Sequence, residues 1–172
     1  MTMVDENLKV LAAEMAATDT SEMDGKYLTF WTDGQLFGIP IADVVQIVGM
    51  QEVTQVPEFP AYAKGIINLR GEIIPIIDIR LRFGKPEIGY NERTCIIITS
   101  IKGVMVGIIV DSVNEVTSIQ DEEISEPPHL TQSTENAYLT GVGKHEERVI
   151  LLLDTQKILS MDQVDLLSSV QS

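Results

Sequence analysis

Residues 65–78 hold the pattern that decides the fold, Gly65-Ile66-Ile67-Asn68-Leu69-Arg70-Gly71-Glu72-Ile73-Ile74-Pro75-Ile76-Ile77-Asp78. Two isoleucine-rich segments flank the short polar turn Arg70-Gly71. Isoleucine favours strands, and glycine adopts the positive φ that tight hairpin turns require. The stretch therefore predicts a buried β-hairpin whose tip holds the Arg70 cation above an apolar surface. A cation in that position suits recognition better than packing.

Similar strand patterns recur at spacings of about 8–12 residues on both sides of this hairpin, which is typical of mainly-β barrels and sandwiches. Asp33-Gly34 and Lys102-Gly103 mark two further hairpin turns, and residues 138–154 predict a final hairpin. Pro40, Ala42-Asp43 and Gly49 are placed to begin and end one internal helix. The segment after Ile158 predicts one or two short closing helices.

The length of 172 residues fits one domain, or two small subdomains that share a core. Both halves have an apolar strand, a glycine turn and an apolar strand that ends in Asp. We therefore predict a domain over 27–160, made of two interleaved subdomains at roughly 34–90 and 91–158. Residues 1–26 are predicted to form a flexible acidic tail, and residues 161–172 a short C-terminal helix or tail.

Composition excludes several classes of protein. The net charge of −14 opposes nucleic-acid binding, because a phosphate backbone attracts clustered Lys and Arg. No apolar run approaches the ~20 residues that span a bilayer, and the acidic residues near the N-terminus do not fit a signal peptide. We expect a cytoplasmic protein. Cys95 is the single cysteine, and its strand-like surroundings predict a small buried hydrophobe.

The sequence lacks the motifs of the common enzyme classes. His129 and His145 have no Ser or Cys motif beside them, and neither a nucleophile elbow nor a nucleotide-binding loop is present. The cluster Asp121-Glu122-Glu123 lacks the alternating oxygen ligands of a calcium loop, so a solvated acidic face is favoured. We predict no catalytic residue, no cofactor and no metal.

The charges are unevenly distributed along the chain. Residues 64–93 hold six basic groups against four acidic ones, whereas residues 111–126 hold six acidic groups and no basic one. The positive stretch predicts steering toward an acidic protein partner. Ordinary charge at strand ends is an equally weighted alternative.

Arg70 and several glycines each allow a structural and a functional interpretation. Arg70 could simply extend to solvent along an apolar surface. However, a bidentate cation that alternates with Asn68 and Glu72 on one hairpin face suits carboxylate or carbonyl capture, which we favour. Gly38, Gly65, Gly71 and Gly107 interrupt strand-like runs, which predicts barrel corners, with close approach of a partner as the alternative. Gly38, Gly71 and Gly107 are predicted to be structural turns.

Four motifs follow one another along the chain between about Lys26 and Ser160. The most characteristic runs from Lys64 to Gly71 and continues from Ile74 to Arg80. The other three are Phe37-Gly38-Ile39-Pro40-Ile41, then Val106-Gly107-Ile108-Ile109-Val110-Asp111-Ser112-Val113, then Tyr138-Leu139-Thr140-Gly141 with Leu151-Leu152-Leu153-Asp154. In this order and spacing the motifs resemble the CheW family of bacterial chemotaxis adaptors.

The resemblance implies an all-β fold of two five-stranded, SH3-like β-barrels around a shared apolar interface, with a few short helices. It implies a non-enzymatic adaptor that couples the cytoplasmic hairpin of chemoreceptors (methyl-accepting chemotaxis proteins) to the regulatory domain of the histidine kinase CheA. Such an adaptor is cytoplasmic and is recruited to membrane receptor arrays without inserting into the membrane. The alternative is a CheW-like regulatory module of another two-component system.

The resemblance also implies roles for individual residues. Gln46, Asn68, Leu69 and Arg70 would contact the receptor, whose helical hairpin would enter a groove between the barrels. Kinase contacts, or the turns that support them, are implied at Val44, Gly65 and Gly141. The family often has Glu at the position of Gln46, so this chain keeps the hydrogen bonding there and loses the charge.

Overall fold

The computed structural model describes residues 25–126 and 138–169 of the chain. The strands there are β1 (Lys26–Thr32), β2 (Gln35–Pro40), β3 (Val44–Gly49), β4 (Ala63–Leu69), β5 (Glu72–Asp78), β6 (Cys95–Ile101), β7 (Val104–Val110), β8 (Ser112–Ser118), β9 (Ile124–Ser125), β10 (Leu139–His145) and β11 (Arg148–Leu153). The α-helices are α1 (Ile79–Arg82) and α2 (Met161–Ser168), and 3-10 turns cover Ile41–Asp43, Asp121–Glu123 and Thr155–Lys157.

The strands form two sheets, in the orders β8-β1-β2-β11-β10-β9 and β3-β6-β7-β5-β4. The β2–β11 and β5–β7 pairs are parallel, and the other pairs are antiparallel. This arrangement confirms the predicted mainly-β class with two β subdomains and few short helices. The first sheet has six strands rather than five, because the two-residue β9 pairs with β10.

The two sheets divide the chain differently from the predicted boundary between residues 90 and 91. The second sheet takes the continuous middle segment 44–110, and the first sheet takes strands from both sides of it. The boundary fails because β6 and β7 pair with β3 and β5 instead of starting a new sheet. The central hairpin of β4 and β5 forms as predicted, with Ile67 opposite Ile74.

The helix predicted between Pro40 and Gly49 is wrong. Only Ile41–Asp43 makes a helical turn, and the chain then continues as β3, which pairs with β6. The β-branched residues that follow Asp43 lose side-chain freedom in a helix and pack well on a pleated surface. Pairing with the edge of β6 therefore outweighs the local preference for a helix after Pro40. The closing helix, by contrast, forms as α2, capped by Ser160 and Gln163.

Parts of the predicted tails and loops lie outside the described residues. These parts are residues 1–24 of the acidic tail, residues 170–172, and the segment 127–137 with His129. Lys26, placed in the tail by the sequence, already belongs to β1. None of the described helices is long and apolar enough to cross a membrane.

Both central residues have positive φ in each of four hairpin turns, a feature of the tight turns that match the twist of the strands. Three of these turns, at Asp33-Gly34, Arg70-Gly71 and Lys102-Gly103, place glycine second, where it accepts this backbone without strain. The fourth turn, Glu146-Glu147, has φ values of 50° and 67° and contains no glycine. It therefore holds two side chains in a conformation that costs about 1–2 kcal/mol per residue.

We expect the double variant Glu146→Asn with Glu147→Gly to unfold with about 1–2 kcal/mol more free energy than the natural chain, because Asn-Gly suits this turn. Urea denaturation followed by the fluorescence of Trp31, the single tryptophan, measures the change. The control is Glu146→Gln with Glu147→Gln, which removes the same two charges and leaves the backbone preference unrelieved. Equal gains in both variants would show that charge, and not turn strain, limits stability.

The core consists of one cluster shared by the sheets and one smaller cluster within each sheet. The shared cluster contains Phe30, Phe37 and Ile39 from the first sheet, and residues such as Ile97 and Ile108 from the second. An isoleucine-rich cluster fills the second sheet, and a third lies in the first. The shared apolar interface keeps the two sheets in one packed body.

Candidate interaction groove

The candidate site is a shallow groove of about 210 Å³ on the second sheet, which we name the Arg70 groove. Its lining residues come from β3, β4, the β4–β5 turn, β5, β6 and β7; they are Val45, Gln46, Leu69, Arg70, Glu72, Ile74, Ile98 and Met105. Both edge strands of the sheet, β3 and β4, therefore contribute residues to the groove. The groove thus lies on one subdomain, whereas the resemblance implied a groove between the two.

The floor of the Arg70 groove is apolar, and its rim is mixed. Ile74 and Ile98 are each about 1% exposed, while Val45 leaves 48% of its surface in solvent. The polar members are Gln46, Arg70 and Glu72. Such a floor is suited to binding apolar side chains of a partner. The few polar groups at the rim can then fix the orientation of that partner.

Arg70 has an unfavourable backbone conformation, and no contact with another described residue explains it. Its φ is 56°, a region that side chains other than Asn and Asp adopt rarely. Its guanidinium forms no hydrogen bond or ion pair with any residue that the structure describes. Asn68 serves the turn itself, because its Oδ1 accepts a 2.8 Å hydrogen bond from the backbone N–H of Gly71. Asn68 thus positions the turn and does not line the groove, whereas Gln46, Leu69 and Arg70 meet there.

Arg80 differs from Arg70 because carboxylates surround it. Its Nε and Nη2 donate to both oxygens of Asp111 at 3.0 and 2.6 Å, and its Nη1 donates to Asp33 at 3.1 Å. Hydrogen bonding to Asp111 raises the pKa of Arg80. Burial acts to raise the pKa of Asp111, but the hydrogen bonds from Arg80 and from the backbone N–H of Asp33 outweigh it and hold that pKa below its ordinary value. This cluster ties α1 to the β1–β2 turn of the first sheet.

Most other cations of the positive stretch also have internal partners. Arg82 donates to the carbonyl of Ile158 at 2.8 Å and lies between the rings of Tyr62 and Tyr138, about 5 Å from each centroid. Lys64 forms an ion pair with Glu87, and Lys85 lies 3.4 Å from an oxygen of Asp33. The excess of basic groups in 64–93 is therefore not a free positive surface. Electrostatic steering of a partner can therefore come only from individual charges such as Arg70, and not from the whole segment.

Val44, Gly65 and Gly141 lie in different surroundings. Val44 begins β3 and packs, half-buried, against the shared core. Gly65 is buried with a φ of 143°, and a Cβ there would overlap the carbonyl oxygen of Thr54. Gly141 belongs to the first sheet, where a Cβ would meet Ile124 Cγ2 at 2.7 Å. Both glycines therefore serve close packing of a neighbouring segment.

Of the three predicted glycine turns, only Gly71 lies in a turn. Gly38 and Gly107 lie inside β2 and β7. A Cβ on Gly38 would approach Leu152 Cδ2 at 3.1 Å, and one on Gly107 would approach Ile96 Cγ2 at 2.8 Å. Each of these two glycines makes room for side chains on neighbouring strands of its own sheet, so the turn assignment is wrong for both.

The cysteine, the acidic cluster and the histidine among the described residues have structural surroundings. Cys95 is buried, as predicted, and burial raises the pKa of its thiol to about 11, so the thiol stays protonated. Glu123 caps the Asp121–Glu123 turn through the backbone N–H of Gln120 and lies 3.2 Å from His145 Nδ1. Within 25–126 and 138–169 no three potential ligands are grouped closely enough to hold a metal ion.

Sequence reasoning missed several members of the Arg70 groove. The predicted helix covers Val45, and Ile98 and Met105 lie 20 and 27 residues beyond Asp78, where the hairpin ends. The β-branched run after Asp43 was a signal for a strand and would have placed Val45 beside Gln46 at a sheet edge. No local pattern marked Met105, because its place in the groove depends on the pairing order of the sheet.

The comparison with known protein families identifies the chain. A family model described as the CheW-like domain matches residues 26–163. The chain belongs to the CheW-like family. The solved structure of the scaffolding protein TtCheW from Thermoanaerobacter tengcongensis superposes on this CheW-like chain with a TM-score of 0.74 and 35% identity, covering 81% of this chain and 94% of that one.

Two chemotaxis proteins named CheW are similar over most of their length. The Klebsiella aerogenes protein is 37% identical, with 84% of this chain and 87% of the relative covered. The Bacillus subtilis protein is 32% identical, with 80% and 88% covered. This CheW-like chain is therefore a chemotaxis adaptor, a non-enzymatic scaffold.

Proposed function

We propose that the Arg70 groove binds the helical hairpin at the cytoplasmic tip of a chemoreceptor, while another surface of the adaptor binds the regulatory domain of CheA. The adaptor would thereby hold the kinase at arrays of membrane receptors. The observation that carries the receptor assignment is an apolar groove with a strained arginine at its rim, which has no hydrogen-bond or ion-pair partner among residues 25–126 and 138–169. An arginine at a turn position whose positive φ disfavours it is better explained by a role in recognition than by a contribution to stability.

The shape and chemistry of the groove suit a helix. An amphipathic helix presents apolar side chains three and four residues apart, and these can enter a short groove between strand edges. Val45 is half-exposed at the mouth, and Ile74 and Ile98 close the floor. Gln46 can donate or accept hydrogen bonds with polar groups that flank the apolar stripe of the helix.

The kinase surface is proposed around Val44 and the segments next to Gly65 and Gly141. Neither glycine offers a side chain, and both are buried. Their part is to let the Thr54-Gln55 and Ile124-Ser125 segments lie close to the neighbouring strands. Substitution of either glycine would then weaken kinase binding by displacing these segments, and not by removing a direct contact.

We expect Val45→Asp to weaken binding to a chemoreceptor cytoplasmic-hairpin fragment by about 30-fold or more, because it puts a charge into the apolar centre of the contact, where a main anchor is worth ~2 kcal/mol. Isothermal titration calorimetry measures the effect. Val149→Asp is the matched control, since Val149 is another strand valine with 48% exposure, placed on β11 of the first sheet. The assignment fails if Val45→Asp binds like the natural chain, or if both variants lose affinity equally.

A further inference from the structure

A histidine lies between two carboxylates at the end of β10. The Nδ1 atom of His145 lies 3.2 Å from Glu123 Oε2, and its Nε2 atom lies 3.9 Å from Glu146 Oε1. A neutral imidazole carries one N–H and therefore donates to only one of these carboxylates. An imidazolium carries two N–H groups, so protonation of His145 gives each carboxylate a donor.

Acidic groups outnumber basic groups on the elements around this ring. Hydrogen bonds from the backbone N–H of Gln120 and from His145 hold the pKa of Glu123 below its ordinary value, so Glu123 stays ionised over the pH range in which histidines titrate. Arg148 lies directly opposite His145 in the β10–β11 pair. The other charged residues on these elements are Asp121, Glu122, Glu126, Lys144, Glu146 and Glu147.

The contact between His145 and Glu123 fastens β9, because Glu123 directly precedes that strand. β9 has only two residues, Ile124–Ser125, and pairs with β10 through both. A strand with so few backbone contacts opens easily, so its position depends on the side chains that hold its ends. β9 is also the segment that Gly141 admits, where part of the kinase surface is proposed.

The second sheet has the matching arrangement without a histidine. The β4–β5 and β10–β11 hairpins pair in the same register, each with a bulge before its glycine, Gly65 or Gly141. The last pair before the turn then contains Leu69 in one hairpin and His145 in the other. Thr54 lies over Gly65 and is held by two backbone hydrogen bonds to β4. Of the two equivalent segments, only β9 is thus held by a group that titrates near neutral pH.

We infer that protonation of His145 closes a clasp on β9, made of His145, Glu123 and Glu146, and thereby strengthens binding of the regulatory domain of CheA. The inference rests on the proposed kinase surface and adds the regulation of that surface by pH. The proton is bound more tightly where both carboxylates accept from the ring. The closed clasp is therefore favoured as the pH falls, and this extra stability is lost as the pH rises.

Solvent-exchange NMR on the full chain tests the clasp without a partner. Exchange of the β9 and β10 amides is compared between the natural chain and His145→Gln at the same pH, so that the intrinsic exchange rate cancels. Gln keeps one N–H donor site and cannot gain a charge. The protection of the natural chain relative to His145→Gln should rise about two- to fivefold between pH 7.5 and pH 5.5, the range that an ion pair of partly exposed groups provides.

Isothermal titration calorimetry with the CheA regulatory domain tests the effect on binding. The affinity of the natural chain relative to His145→Gln should rise by about the same two- to fivefold between pH 7.5 and pH 5.5. Glu123→Gln should lose the pH response as His145→Gln does. His129→Gln is the matched control, because it removes the other histidine of the chain, which lies outside the described residues, and it should keep the response.

The inference is overturned if the protection ratio is the same at both pH values, or if His129→Gln loses the response that His145→Gln should lose. A change in protection without a change in affinity would refute the regulation of kinase binding. If the natural chain binds no kinase domain at either pH, the proposed kinase surface is wrong, and the exchange measurement alone decides whether the clasp exists.

Discussion

Gly65→Ala is expected to lower the free energy of unfolding by about 3 kcal/mol or more, the largest loss that we predict for a single substitution. A Cβ at this position would overlap the carbonyl oxygen of Thr54 and lie 2.7 Å from the carbonyl carbon. It would also hold alanine at a φ of 143°, which costs a further ~1–3 kcal/mol. The neighbouring backbone could yield only by breaking the paired Thr54–Ile66 hydrogen bonds, each 2.8 Å long.

Urea denaturation followed by Trp31 fluorescence measures this loss. Gly89→Ala is the matched control, because Gly89 has no atom within 4 Å of its would-be Cβ and no positive φ. It should change stability by less than ~0.5 kcal/mol. A Gly65→Ala protein with natural stability and lost kinase binding would contradict the structural role and restore Gly65 as a direct contact.

Arg80→Gln is expected to cost about 2–3 kcal/mol of unfolding free energy. It removes both hydrogen bonds to Asp111 and leaves that carboxylate, whose side chain is 28% exposed, without its main partner. Lys85→Gln is the control from the same cluster, since its longer contact with Asp33 is more exposed and should be worth less than ~1 kcal/mol. Similar losses in the two variants would show that the Arg80 cluster adds no more than a surface ion pair.

The pH dependence of this loss follows from Asp111. The pKa of Asp111 is lower in the folded protein than its ordinary value near 3.9 in an unfolded chain, so the folded state favours the ionised form. The stabilisation is therefore fully present above that ordinary value and disappears as the pH falls through the lower pKa of the folded state. The difference between the natural chain and Arg80→Gln should stay constant from pH 7 to about 5 and shrink below about pH 4. A constant difference down to pH 3 would rule out Asp111 as the responsible group.

The hairpins could be predicted from the sequence because their signals are local. Asp33-Gly34, Arg70-Gly71 and Lys102-Gly103 each adopt positive φ at both positions and connect adjacent antiparallel strands. Turn chemistry and the apolar runs beside it act within a few residues, so no knowledge of the rest of the fold was needed.

The errors arose where distant pairing decides the structure. The sequence around Pro40 does begin a helical turn, and only the edge of β6, about 50 residues later, makes the next segment a strand. The prediction of a positive surface over residues 64–93 failed for the same reason. Arg80 is paired with Asp111 and Asp33, which lie 31 and 47 residues away in the sequence. Sums of charge along a segment do not reveal such partners.

The candidate site was predicted in part. Leu69, Arg70 and Gln46 meet in one groove, although Gln46 was placed on the wrong kind of element. The residues that the sequence did not predict, Val45, Ile98 and Met105, reach the groove only through the strand order of the five-stranded sheet. What separates Arg70 from its neighbours is likewise a three-dimensional fact, since the structure gives partners to Lys64, Arg80 and Lys85.

The central claim is that the receptor hairpin binds in the Arg70 groove, and NMR chemical-shift mapping tests it most directly. The full chain, labelled with ¹⁵N, would be titrated with the unlabelled receptor cytoplasmic-hairpin fragment. The account predicts that the largest shift changes fall on Val45, Gln46, residues 69–72 and Met105, with the amides of β11 near Val149 unmoved. Saturable binding with shift changes confined to the first sheet, and groove amides at their free positions, would contradict it.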